Sequence, residues 1–431
     1  MERFSATYLI ETPLDIAAAA ESLAGEQSSG TFVSVPGETA ALKERFAARV
    51  ESIREIEECS SPSLPGCSAN ANSYRRAEVV VSWSLENVGY NLPTIVSTVQ
   101  GNLYEMRQFS GLKLVDLEFP PTFSSHFNGP NFGIEGSRRL TGIQDRPLLG
   151  TIIKPSVGMS PQETAELVRT LAEAGVDFIK DDELMADAPH SPFNERVAEV
   201  MRVINDHADR SGKKIMFAFN LSDEMDRMLD HYDTVISHGG TCAMVSLNSV
   251  GIAGVKKICD RGKLAIHGHR NGWGMLNRHP LLGIDFKAYQ KLWRLVGVDQ
   301  IHVNGLQNKF CESDDSVIRS IKACQEPMFG GWEILPVVSS GQWGGQAPET
   351  YRQTQSIDLL YLAGGGILAH PDGPSEGVKA LQQAWEAAVA GLSLEEAIVE
   401  SPALLRSTEK FSKHLCTGLD QTPTSQGALV Q

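Results

Sequence analysis

The feature that most limits how this chain can fold is an alternation of short apolar stretches with helical ones, beginning near residue 145. Stretches 148–154, 177–181, 214–220, 242–247, 264–269, 300–304, 334–339 and 358–363 read as strands. The first helical stretch between them is marked at both ends. Ser160 is an N-cap, Pro161 takes the first helical position, and Glu163 completes a Ser-x-x-Glu capping box. Leu167, Val168, Leu171 and Ala174 form its buried face, and Gly175 stops it. Eight strands alternating with helices over roughly 250 residues predict a (β/α)8 barrel.

The first third reads as α+β instead. Residues 4–11, 77–84 and 112–119 suit strands, 13–24 and 92–107 suit helices, and 60–73 suit a loop. Pro120-Pro121 ends the last strand, and 122–140 reads as a linker rich in Ser, Gly, Asn and Pro. At 431 residues the chain is too long for one ordinary core. The expected division is an α+β domain over 1–137, then the barrel over 138–431 with a polar tail.

Charge excludes some functions. Lys and Arg total 38 against 53 Asp and Glu, a net −15, and no basic run offers a local nucleic-acid footprint. The seven cysteines are scattered without a CxxC pair, which predicts reduced thiols and a cytoplasmic setting. The N-terminus carries no signal pattern, and no apolar run reaches the roughly 18 residues of a membrane span.

A barrel of this type carries its chemistry at the C-terminal ends of its strands. Here strand one ends in Lys154-Pro155-Ser156 and strand two in Lys180-Asp181-Asp182-Glu183. Strand five ends in His267-Gly268-His269-Arg270 and strand six in His302-Val303-Asn304-Gly305, with Lys309 following. Strand seven ends in Ser339-Ser340-Gly341 and strand eight in Gly364-Gly365-Gly366. Taken alone, the acids after strand two fit a solvated turn as well as an oxygen-rich Mg²⁺ site. Six convergent polar or glycine-rich ends favour the site, since buried charge needs a partner. The loops after strands seven and eight are the usual phosphate cradle of such barrels. Cys242 to Asn248 suggests no role, and Trp332 and Trp343 read as packing.

Together these strand ends resemble the large subunit of ribulose-1,5-bisphosphate carboxylase/oxygenase (Rubisco), in order and over nearly the whole chain. Gly150 to Pro155 followed by Gly158-Met159-Ser160-Pro161 is similar to that family's first-strand lysine motif, and Gly175 to Glu183 to its metal motif. The resemblance implies a ferredoxin-like first domain. It implies that Lys180 takes up CO₂ as a carbamate and holds Mg²⁺ with Asp182 and Glu183. Strand alternation pairs Lys180 with Asp182 and turns Glu183 away, so including Glu183 requires the strand to end there. Further implied roles are acid–base work for Lys154 and His269, and anion binding by Arg270. Implied too are a substrate contact for His302, lid closure by Lys309, and anion contacts at Ser339, Gly341, Gly364 and Gly365. His370-Pro371 extends the strand-eight likeness. Glu26, Thr31 and Asn102 lie in segments that the family contributes across a dimer interface. A homodimer or a multiple of dimers is therefore expected, without a small subunit.

The departures point away from carbon fixation. Ser156 stands where carboxylases have a second lysine, Ile152 where they have a threonine, Trp273 for a histidine and Phe32 for a tryptophan. The lid reads Asn304-Gly305-Leu306-Gln307-Asn308-Lys309. These changes remove a hydroxyl and a cation beside the metal motif. The resemblance is thus to a Rubisco-like protein. It implies an enediolate-forming enzyme acting on a small phosphorylated β-keto sugar acid, best 3-oxo-isoapionate 4-phosphate. Either decarboxylation or transcarboxylation with hydrolysis to 3-phosphoglycerate and glycolate would follow. The alternatives are an enolase or isomerase of a phosphorylated ketose, as in methionine salvage, and a non-catalytic regulatory barrel. The methionine-salvage enolases lack a lid lysine, so Lys309 favours the first reading.

Overall fold

The structure is a computed structural model and describes residues 2–29, 35–67 and 72–417. Thr31 and Phe32 lie outside the described residues. Among the described residues, thirteen strands form two sheets. In chain order they are β1 (Arg3–Thr12), β2 (Arg49–Cys59), β3 (Tyr74–Ser84), β4 (Gly111–Glu118), β5 (Leu148–Ile152), β6 (Phe178–Lys180) and β7 (Met216–Asn220). Then come β8 (Cys242–Ser246), β9 (Ala265–His269), β10 (Leu282–Ile284), β11 (Gln300–Asn304), β12 (Leu335–Ser339) and β13 (Leu360–Leu362).

The first sheet runs in the order β10-β4-β1-β3-β2. Side chains of β1 alternate between buried and half-exposed, so one face carries Phe4, Ala6, Tyr8 and Ile10 against the helix Ile16–Glu26. The sequence does not betray β2. Its residues are mostly charged and exposed, and it is held by pairing with β3 and by cross-strand ion pairs such as Arg54–Glu78 at 2.9 Å. A charged edge of this kind also discourages pairing with other chains. β10 was equally hidden: it leaves the barrel domain and adds in parallel to β4, joining the two units.

Strands β5–β9 and β11–β13 close into a parallel barrel of eight. Its lower interior is apolar, built by Leu148, Phe178, Met216, Met244, Leu335 and Val337. The segment expected as a linker contains the helix Gly133–Thr141, whose flanking Phe132 and Ile143, with Ile134 and Leu140, pack against that cluster and cover this end of the barrel. Its apolar residues are too few and too closely spaced with glycine to signal a helix from sequence. The capping box at Ser160 and Glu163 forms as expected, opening the helix Pro161–Glu173, and Gly175 follows it with φ 88°.

Candidate active site

β6 ends at Lys180. That early end decides the geometry of the acidic stretch. Asp182 and Glu183 lie beyond the strand, free of its alternation, and Glu183 Oε2 comes within 3.6 Å of Lys180 Nζ. Lys180 is buried and donates to the Asp181 carbonyl at 2.6 Å. Burial lowers its pKa, opposed by the charges of Glu183, Asp182 and Asp181. A buried amine with a lowered pKa spends more time as the neutral nucleophile that CO₂ requires. The stretch is pinned from outside the barrel. Asp181 pairs with buried Arg196 at 3.2 Å and accepts from the Asn220 amide at 3.0 Å. The Asn220 side chain donates to the carbonyls of Asp182 and Glu183. Losing one partner of such a buried ion pair costs about 3–5 kcal/mol.

Lys154 closes the arrangement from β5. Its ammonium lies 2.5 Å from Asp182 and 2.7 Å from the Ser156 hydroxyl. Ser156, the residue standing in place of a second lysine, thus orients the first. His269 Nε2 sits 3.5 Å from Glu183, while its Nδ1 accepts from the Asn271 amide. Burial, followed by the Lys180 charge, pushes the His269 pKa down to about 3. Lys154, Lys180, Asp182, Glu183 and His269 are therefore one connected group. Lysine is no metal ligand, but a carboxylated Lys180 would add an oxygen donor to those of Asp182 and Glu183. The donor set is then all oxygen, which fits Mg²⁺.

A different trio also has metal-like spacing. Asp187, Asp223 and His231 bring ligand atoms within 4.8 Å of one another. Arg227 ion-pairs with both Asp187 and Asp223, so one of their two negative charges is already offset by protein.

Arg270 is buried between Trp273 and Phe286, with ring centroids 5.0 and 5.2 Å from its guanidinium carbon. Its Nη2 lies 3.3 Å from Glu312 Oε2, while its Nη1 is buried without a hydrogen-bond partner. Glu312 was not signalled by the sequence, because it stands in a loop three residues past Lys309. Lys309 itself is exposed, and its amide donates to the Ser340 carbonyl at 3.2 Å, which lays the 305–313 loop across the end of β12. Gly341 (φ 88°) lies directly beneath, where a Cβ would sit 3.5 Å from that of Lys309. Gly364 and Gly365 open the short helix Gly364–Leu368 after β13. His302 is buried, with Nε2 2.8 Å from His267 Nε2 and Nδ1 3.1 Å from Ser339 Oγ. Glu26 and Asn102 come within 3.5 Å of each other on the exposed surface of the N-terminal domain.

Two family models cover this chain. The ribulose bisphosphate carboxylase large chain catalytic domain matches residues 133–411, and the N-terminal domain of the same chain matches 5–123. The chain belongs to the Rubisco large-chain family. Within it, the chain is 52% identical over 405 residues to a 3-oxo-isoapionate-4-phosphate transcarboxylase/hydrolase of Xanthobacter autotrophicus, covering 94% of this chain and 98% of that one. It is 49% identical over 409 residues to a 3-oxo-isoapionate-4-phosphate decarboxylase of Rhizobium etli, with coverage of 94% and 98%. A crystal structure of a Rubisco-like protein from Burkholderia fungorum superposes with a TM-score of 0.89 at 44% identity, covering 95% of this chain and 100% of that one. Among the described residues, no helix of this Rubisco-family chain is long and apolar enough to cross a membrane.

Proposed function

We propose that the chain is a Mg²⁺-dependent enzyme that forms an enediolate from 3-oxo-isoapionate 4-phosphate by releasing its carboxylate as CO₂. The observation that carries this reading is the convergence of Lys154, Lys180, Asp182, Glu183 and His269 at one end of the barrel, beneath a loop that keeps Lys309. Relatives 52% and 49% identical over 94% of this chain, with that substrate in their names, support it.

Lys180 as a carbamate, with Asp182 and Glu183, would hold the cation. Bound there, Mg²⁺ supplies Lewis-acid polarisation of adjacent substrate oxygens. The residues of the chain supply the remainder. Lys309 pairs with the carboxylate that leaves. As the carbon–carbon bond breaks, its electron pair moves toward the keto group. Lys154, an ammonium held by Asp182 and Ser156, is placed to protonate the enediolate. His269, whose Nε2 sits 3.5 Å from Glu183, would take a proton from an attacking water at that nitrogen. The glycines at 341, 364 and 365 leave backbone N–H groups accessible to the phosphate. A second copy of the chain would bring Glu26 and Asn102 to the barrel mouth, making a homodimer the working unit.

The reading is tested with substrate carrying ¹³C in its carboxylate, in Mg²⁺ and bicarbonate, followed by ¹³C NMR. Label released entirely as CO₂ identifies a decarboxylase. Label retained in 3-phosphoglycerate or glycolate identifies a transcarboxylase/hydrolase. No turnover of this substrate refutes the proposal.

A further inference from the structure

Outside the catalytic group, the trio of Asp187, Asp223 and His231 holds a histidine nitrogen with nothing to bond to. His231 lies on the helix Met225–Ser237 and is 5% exposed, its ring stacked on that of Phe193 with centroids 4.1 Å apart. Its Nδ1 lies 3.5 Å from the Leu221 carbonyl. A carbonyl only accepts, so Nδ1 carries the ring hydrogen and Nε2 presents a bare lone pair. That nitrogen faces Asp187 Oδ2 at 3.8 Å, too far for a hydrogen bond, and it has no hydrogen-bond partner among the described residues. Two acceptors facing each other repel unless a cation sits between them.

Asp223 completes the set, with one ligand atom of each residue within 4.8 Å of the others. The carboxylates are already aimed. Asp187 Oδ1 accepts from the Phe193 amide at 2.7 Å, and Asp223 Oδ1 accepts from the Glu224 amide at 2.7 Å, so each turns Oδ2 to the cluster. Hydrogen bonds to the far atom of a ligand are what orient it toward a metal. Burial shifts the His231 pKa below its ordinary value, which favours the neutral ring a metal requires. A cavity of about 230 Å³ opens beside the cluster, lined in part by Asp187, Asp230 and His231. Arg227 pairs with both aspartates from a side chain that is 56% exposed, and among the described residues it makes no hydrogen bond to His231. Its single charge leaves one of the two carboxylate charges unmatched, and an exposed side chain can swing out.

We propose that Asp187, Asp223 and His231 form a second cation site, for a divalent transition metal such as Zn²⁺, apart from the Mg²⁺ position of the catalytic group. The nitrogen donor makes the difference. An all-oxygen set suits Mg²⁺, whereas an imidazole with two carboxylates and room for water suits Zn²⁺. Arg227 is the resident counter-ion that the metal displaces. Asp187 lies in the loop that leaves β6 past Glu183, and Asp223 in the turn after β7. A metal here ties both segments to the helix Met225–Ser237 and braces the stretch that carries Asp182 and Glu183.

Calorimetric titration of Zn²⁺ into the full-length chain, in excess Mg²⁺ to fill the catalytic position, tests the site. Wild type should take up one Zn²⁺ per chain that His231→Gln and Asp223→Asn bind at least about tenfold more weakly. Neither substitution touches the catalytic group, so Zn²⁺ held there or by cysteines is common to all three proteins and cancels in the comparison. Arg227→Gln should bind about fivefold more tightly, the worth of an exposed ion pair no longer competing. Zn²⁺ should also raise the Tm of wild type and not that of Asp223→Asn, a change of shape-matched side chains. Equal Zn²⁺ affinity in wild type and Asp223→Asn, or weaker binding by Arg227→Gln, overturns the proposal. None of these readouts uses turnover, so they stand apart from the fate of the proposed substrate.

Discussion

At the scale of the residue, Lys180 and Lys309 share a charge and little else. Lys180 is buried among three carboxylates, with its amine lowered toward neutrality by the loss of water. Lys309 is exposed on a loop and rests its backbone on Ser340. Substituting Lys309→Met should therefore leave stability within about 0.5 kcal/mol of wild type, as for other exposed sites. It should lower kcat by about 10²-fold, the usual cost of removing one group that stabilises developing charge. Steady-state kinetics beside urea unfolding separates these effects, and an unchanged kcat would favour an enolase that does not handle CO₂. Lys180→Met should abolish turnover. In the wild type, intact-protein mass spectrometry in bicarbonate and Mg²⁺ should show the mass of one carbamate, and the variant should not.

At the scale of the element, buried Asp299 joins three parts of the fold. Its carboxylate accepts from the amides of Phe132, Gly133 and Ile266 at 2.6, 3.0 and 2.8 Å, tying the end-covering helix to β9 and β11. Burial pushes its pKa up to about 6, against the lowering effect of those amides. The folded chain therefore binds the Asp299 proton more tightly than the unfolded chain does. Its contribution to stability is complete below about pH 4 and is lost as pH rises through about 6. The unfolding free energy of wild type relative to Asp299→Asn should thus increase by roughly 3 kcal/mol between pH 7 and pH 4, two pKa units of linkage. Urea titrations across that range would measure it, and a difference that shrinks on acidification would contradict the assignment.

At the scale of the whole molecule, the proposed homodimer would draw one half of its site from the barrel and the other from the N-terminal domain of a second copy. Among the described residues, neither Glu26 nor Asn102 hydrogen-bonds to a strand end of its own barrel. An equimolar mixture of refolded Lys180→Met and Asn102→Ala chains should then regain about a quarter of wild-type activity. Random pairing makes half the dimers mixed, each with one intact site of two. Failure to complement would place the whole site within one chain.

The sequence by itself determined the barrel, its first capped helix and the residue types at six strand ends, because strand alternation and caps are local signals. It also carried the order of motifs that marks the family. Tertiary structure alone decided the rest. β2 and β10 have no apolar pattern and exist only through their partners, and the helix Gly133–Thr141 is stabilised by the barrel end it covers. Glu183 joins Lys180 only because β6 stops where it does. Glu312 acquires its meaning from Arg270, a side chain brought to it from the end of another strand. A hydrogen bond needs a partner within about 3 Å, and that distance is set by closure of the barrel, not by position along the chain.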